Sequence, residues 1–180
     1  MALWGNTDAD EAKPKWLTTD EKDTTFATER GWVKLDGKGN EEVLCAIGEL
    51  STSVAGADIT RIAFVSSSLS KAAGGNIDVR VTYNEKVDVV GTPVLVVTND
   101  QTGGGSATLN TVYNSGTGTN RLVFRLTLSG GAAGIGDGNT LSVAAQNITK
   151  ASGEHIRDAG TVINSSVAVP SNSASMSITT

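Results

Sequence analysis

The feature that most constrains this chain is a strict two-residue period in its second half. Ile77, Val79, Val81 and Tyr83 alternate with Asp78, Arg80 and Thr82, and Leu122, Phe124, Leu126 and Leu128 alternate with Val123, Arg125 and Thr127. Successive side chains of an extended chain point to opposite faces, so each run describes a strand with one side on a core. Shorter runs fit the same reading: Ile59, Ile62, Phe64 and Val65; Val87 and Val89; residues 94–98 after Pro93; residues 107–109; Leu141, Val143 and Ala145; and Val162, Ile163, Val167 and Val169. Between them lie Gly-rich stretches at 99–105, 114–118 and 129–138, where glycine supplies positive φ at little steric cost. About seven short strands separated by turn signals predict an all-β sandwich over residues 59–169.

The first fifty residues have a different character. They hold all three tryptophans (Trp4, Trp16, Trp32) and the single cysteine, Cys45, with six basic against eleven acidic residues, whereas residues 51–180 carry eight of each. The formal net charge of -5 therefore belongs entirely to the first part. Residues 1–30 have little periodicity, and Trp4, Trp16 and Phe26 are too widely spaced to share one helical face. One helical turn is predicted at residues 18–26, with Thr18 as N-cap and Glu21 completing a capping box. Residues 31–35 and 42–47 read as a β-hairpin around the turn at Asp36-Gly37-Lys38-Gly39-Asn40. A lone hairpin is marginal in water, so this one must pack on something. The organisation expected is a docking arm and hairpin (1–50), a small polar linker (51–58), the sandwich (59–169) and a polar tail (170–180), either frayed or used as an extra strand.

A search for chemistry is mostly negative. No G-x-S-x-G, Walker or H-E-x-x-H pattern occurs, and Ser and Thr are too numerous to single out a nucleophile. His155, the only histidine, reads as a loop residue without a second His or Cys to share a metal. The glycines of 130–138 precede a strand-like segment, where a dinucleotide fingerprint would open a helix. Asp58, Asp78, Glu85, Asp88, Asp100, Asp137 and Asp158 are the carboxylates to consider for calcium, but none forms a D-x-D-x-D run with a terminal Glu, and turn chemistry accounts for them better. No metal, cofactor or catalytic residue is expected. Cys45, between Leu44 and Ala46, reads as a small buried hydrophobe. The acidic balance, with no basic stripe, argues against nucleic acid. No run approaches the roughly 18 apolar residues of a membrane span, and the start lacks the pattern of a secretory signal, so the expected compartment is a cytoplasm unless an assembly carries the chain out. Trp4 and Trp16 stand in a polar arm with no periodic apolar neighbours, which suits anchors for a partner's pocket; Trp32 suits either a core or such a contact.

Two resemblances extend this reading. Met1-Ala2-Leu3-Trp4-Gly5-Asn6, Lys13-Pro14-Lys15-Trp16-Leu17, Ala27-Thr28-Glu29-Arg30-Gly31-Trp32-Val33 and Glu42-Val43-Leu44-Cys45-Ala46-Ile47 resemble the N-terminal segment of virion structural proteins of marine T4-like tailed phages, those of cyanobacteria in particular. Ile59-Thr60-Arg61-Ile62, the run from Asn76 to Val87, Gly91-Thr92-Pro93-Val94-Leu95 and Ile156-Arg157-Asp158-Ala159-Gly160 resemble the bacterial Ig-like modules of large surface adhesins, which are structural and adhesive sandwiches with no catalytic residues. Together they imply a non-enzymatic virion protein assembled in the host cytoplasm, with an Ig-like sandwich and an arm (Trp4, Asn6, Trp16, Phe26, Trp32) docked on the major capsid protein or other virion proteins. A capsid decoration or cement protein, homo-oligomeric on the particle, is the leading expectation. A neck, tail or fibre adaptor and a host-surface carbohydrate-binding module are the alternatives.

Overall fold

The computed structural model describes residues 13–28, 31–37, 40–46, 56–170 and 174–180. Within them the chain is almost entirely β, as its period of two requires. One short helix, α1 (Thr19–Asp23), precedes a three-stranded antiparallel sheet of β1 (Thr25–Thr28), β2 (Gly31–Leu35) and β3 (Glu41–Ala46). There follow β4 (Ile59–Phe64), β5 (Ser68–Ser70), β6 (Gly74–Val90), β7 (Val94–Asn99), β8 (Thr108–Ser115), β9 (Thr119–Ser129), β10 (Thr140–Ser142), β11 (Gln146–Asn147), β12 (His155–Asp158), β13 (Ala168–Val169) and β14 (Ser175–Thr179).

Nine of these form one sheet in the order β12-β6-β9-β8-β7-β10-β14-β5, with β4 also paired to β6. The sheet curls over, because its last strand, β5, comes back into contact with β6, and β14 meets β4. The result is sandwich-like. The curl encloses the alternating residues Ile77, Val79, Val81 and Tyr83 of β6, Leu95 and Val97 of β7, Leu122 and Phe124 of β9, and Leu141, Met176 and Ile178 from beyond. Their intervening neighbours, apart from the buried Thr82, stay partly exposed, so the periodicity of the sequence largely matches that of burial. Tyr83 reaches the core with its hydroxyl satisfied, donating to the Ser166 carbonyl at 3.0 Å.

Several elements differ from the sequence expectation. The two runs around Tyr83 and Val87 are one strand of 17 residues, not two with a turn between, and the interruption is a bulge between Thr82 and Val87 in its pairing with β9. His155 lies on a strand and not in a loop, since β12 pairs with β6 in the register His155↔Val90 to Asp158↔Val87. Val162 is 81% exposed and belongs to no strand. Of the two fates expected for the tail, the extra strand is the one formed: β14 pairs antiparallel with β10 and parallel with β5, burying Met176 and Ile178.

The glycines of 130–138 have a packing role. An ideal Cβ on Gly136 would lie only 1.8 Å from the Gly103 carbonyl oxygen, and Gly105 forms an isolated bridge with Ile135. Two Gly-rich loops touch backbone to backbone here, an approach that only glycine permits.

Candidate partner-docking surface

The predicted capping box is present. Thr18 Oγ1 accepts from the Glu21 amide at 3.3 Å, and Glu21 Oε2 accepts from the Thr18 amide at 3.0 Å. The Lys34 ammonium donates to the other oxygen, Oε1, at 2.8 Å. This hydrogen bond, with those from Thr18 after it, pulls the Glu21 carboxyl down to about 2. A helix of one turn cannot stand alone, and its support comes from the sheet it leads into.

That sheet is seated on the sandwich. The carboxylate of Asp23 is buried beside Arg61 of β4 at 2.6 Å, with Arg80 of β6 at 4.0 Å. Burial raises the Asp23 pKa, and the guanidinium groups of Arg61 and Arg80 oppose the rise. The buried Asn120 amide of β9 donates to the carbonyls of Asp23, at 3.2 Å, and Tyr83, at 3.3 Å, tying α1 and β6 together. On the other side, Lys86 of β6 donates to the Glu41 carboxylate of β3 at 2.6 Å and holds its ammonium 4.7 Å from the centre of the Phe26 ring.

The expected boundary near residue 50 is therefore bridged in space. Residues 51–55 of the anticipated linker lie outside the described residues. Ala57 and Asp58 are built into the sandwich: the fully buried Ala57 donates its amide to Asp158 Oδ1 at 2.6 Å, and the Asp58 amide donates to Asn84 Oδ1 at 2.7 Å.

The five residues expected to meet a partner fall into three groups. Trp4 and Asn6 lie outside the described residues. Phe26 and Trp32 are enclosed by the chain itself, which leaves Phe26 no surface for the partner contact expected of it and gives Trp32 the core position that is its other reading. Phe26 pairs across from Val33 on β2, and Trp32 across from Ala27 on β1 and Cys45 on β3, so the two aromatics lie on opposite faces of the three-stranded sheet. Trp32 Nε1 is buried with no hydrogen-bond partner among the described residues. Cys45 is half-buried opposite Trp32.

Trp16 is different: its surface is 70% exposed, the largest aromatic area left outside among the described residues. Its neighbours are pinned. Lys13 is buried, with its ammonium donating to the Lys22 carbonyl at 2.7 Å, Leu17 is buried, and the Leu17 amide closes a turn on the Pro14 carbonyl at 3.2 Å. The indole is thus held outward from a fixed backbone, between two buried residues and one turn before the capping box.

The carboxylates weighed for calcium mostly have local work. Asp78 makes a bidentate pair with Arg125 at 2.7 Å for each bond, Asp88 accepts from the Gly160 amide, and Asp100 accepts from the Thr102 amide. Asp58, Glu85 and Asp158 do approach one another from distant parts of the chain. Among the described residues, no group of three or more His, Cys, Asp and Glu side chains is arranged to hold a metal ion, and no helix is long and apolar enough to cross a membrane. Comparison of the chain with family models, with curated proteins and with solved structures finds no match.

Proposed function

We propose that this protein is a non-enzymatic structural component of a phage particle, a decoration or cement protein that docks on capsid subunits through its N-terminal part and displays its sandwich outward. The observation that carries this reading is Trp16. A bare indole costs free energy in water, and on a backbone pinned by the buried Lys13 and Leu17 only its side-chain freedom is lost when it enters a pocket. Residues 1–50, which resemble the docking segments of virion structural proteins, contain both Trp16 and Trp4. Many copies on a symmetric shell give a modest single contact the strength of avidity.

The test is binding of the purified chain to capsids that lack it, with copies counted on the saturated particle. Tight binding of hundreds of copies, reduced at least tenfold in Trp16→Ala, supports the proposal. Equal binding by the variant overturns the role of Trp16, and saturation at six or twelve copies moves the protein to the neck or tail.

A further inference from the structure

One side of β7 pairs with β8, and the other receives its hydrogen bonds from three separate sources. At the C-terminal end β10 pairs with it, Ser142↔Thr98 and Leu141↔Asn99. At the N-terminal end Val94 exchanges both backbone bonds with Thr149, at 2.8 and 2.9 Å. Between them, at Val96, no backbone arrives. Continuing the register of β10 would set Ala144 opposite Val96, but the chain turns away after Ser142, burying Val143 and Ile148 and pairing β11 with β13 in the register Gln146↔Val169.

The side chain of Gln146 reaches back into the gap. Its Oε1 accepts from the Val96 amide at 3.0 Å, and its Nε2 donates to the Val96 carbonyl at 2.7 Å and to the Ala144 carbonyl at 3.3 Å. A carboxamide carries an acceptor and a donor side by side, as a peptide group does. This one side chain therefore supplies both bonds that a residue of a neighbouring strand would give.

The strand it covers is one that needs covering. β7 runs Val94-Leu95-Val96-Val97-Thr98-Asn99, rich in β-branched residues and without a charge, proline or glycine. With open backbone groups along one side, such a run is a template for another strand, and its best match is the same run of a second copy. Proteins blunt an edge of this kind with lysine, proline or a bulge, and β7 has neither of the first two within it.

We propose that Gln146 is an edge guard: its carboxamide occupies the strand-pairing position beside Val96 and keeps β7 from pairing with β7 of a second copy. The guard belongs to the sandwich alone and stands or falls separately from the docking role of Trp16.

Gln146→Ala in the full chain tests it. Hydrogen exchange at the Val96 amide should become at least about tenfold faster, while Leu95 and Val97, whose amides face β8, stay protected. Sedimentation should show the variant self-associating at least about tenfold more tightly than the parent chain, and the double variant Gln146→Ala/Val96→Lys returning to the parent's behaviour, because lysine on the partly exposed side of an edge strand opposes its own copy. Unchanged exchange at Val96 overturns the proposal, and so does faster exchange without tighter association, or association that persists in the double variant. In the parent chain itself, the carboxamide protons of Gln146 should exchange at least about tenfold more slowly than those of free glutamine. Equal rates overturn the proposal whether or not the variants fold.

Discussion

Arg61 of β4 places its guanidinium 2.6 Å from the carboxylate of Asp23, at the C-terminal end of α1. An acidic residue is unfavourable at that end of a helix, where the dipole is negative, and burial adds to the cost. The position is tenable because the sandwich delivers the counter-charge, so α1 and β4 depend on each other.

Arg61→Ala is therefore expected to destabilise the chain by about 2 kcal/mol, less than the 3–5 kcal/mol typical of breaking a buried pair, because Arg80 remains 4.0 Å from Asp23. Urea denaturation checks the magnitude. A loss below a few tenths of a kcal/mol would mean that the sheet is seated by other contacts.

The two described tryptophans should separate cleanly. Trp32→Ala is expected to cost about 3–5 kcal/mol, the usual loss for a buried large aromatic. Trp16→Ala should change stability by less than about 0.5 kcal/mol, as an exposed substitution does. Thermal denaturation of both variants measures the contrast.

Acid should act on the capping box of α1. Glu21 is pulled down to about 2 by its hydrogen bond from Lys34 and those from Thr18, so its contribution is present above about pH 4.5 and lost as pH falls through about 2. Glu21→Gln should flatten that part of the acid-stability curve. Thr18→Ala, which removes the reciprocal cap, should cost about 1 kcal/mol at neutral pH and speed proteolysis at Lys22.

Gly136→Ala should be costly although the backbone of Gly136 has no unusual φ. Its added carbon meets the Gly103 carbonyl, and overpacking against backbone costs about 1–3 kcal/mol. Gly131→Ala serves as the contrast, with open space around it and only a positive φ of 74° to strain it. Chemical denaturation should rank Gly136→Ala as the more damaging.

Much of the fold was legible because strands announce themselves by alternation. β6 buries Ile77, Val79, Val81 and Tyr83 as its pattern requires, β9 buries Leu122 and Phe124 and leaves Leu126 and Leu128 partly covered, and the capping box at Thr18 and Glu21 sits where its motif requires. What stayed hidden depends on partners distant in sequence. β1 holds one large apolar residue, Phe26, and is a strand because β2 pairs with it. β12 hides Ile156 among His155, Arg157 and Asp158, and only β6 beside it makes that segment extended. The fate of the aromatics was equally a tertiary matter: Phe26 and Trp16 look alike in a polar segment, but only Phe26 has Val33 opposite and Lys86 above it. The approach of Asp58, Glu85 and Asp158 followed no local spacing, because they stand before β4, on β6 and on β12.

The position of β14 in the sheet has a consequence for how the molecule is made. β10 and β5 are hydrogen-bonded to it and not to each other, so the row of strands is interrupted until residues 175–179 exist. During synthesis β5 must wait for its hydrogen-bonding partner through the production of every strand from β6 to β13. Closure of the curl is thus a late, long-range event, and the facing edges of β5 and β10 stay open until β14 has been made.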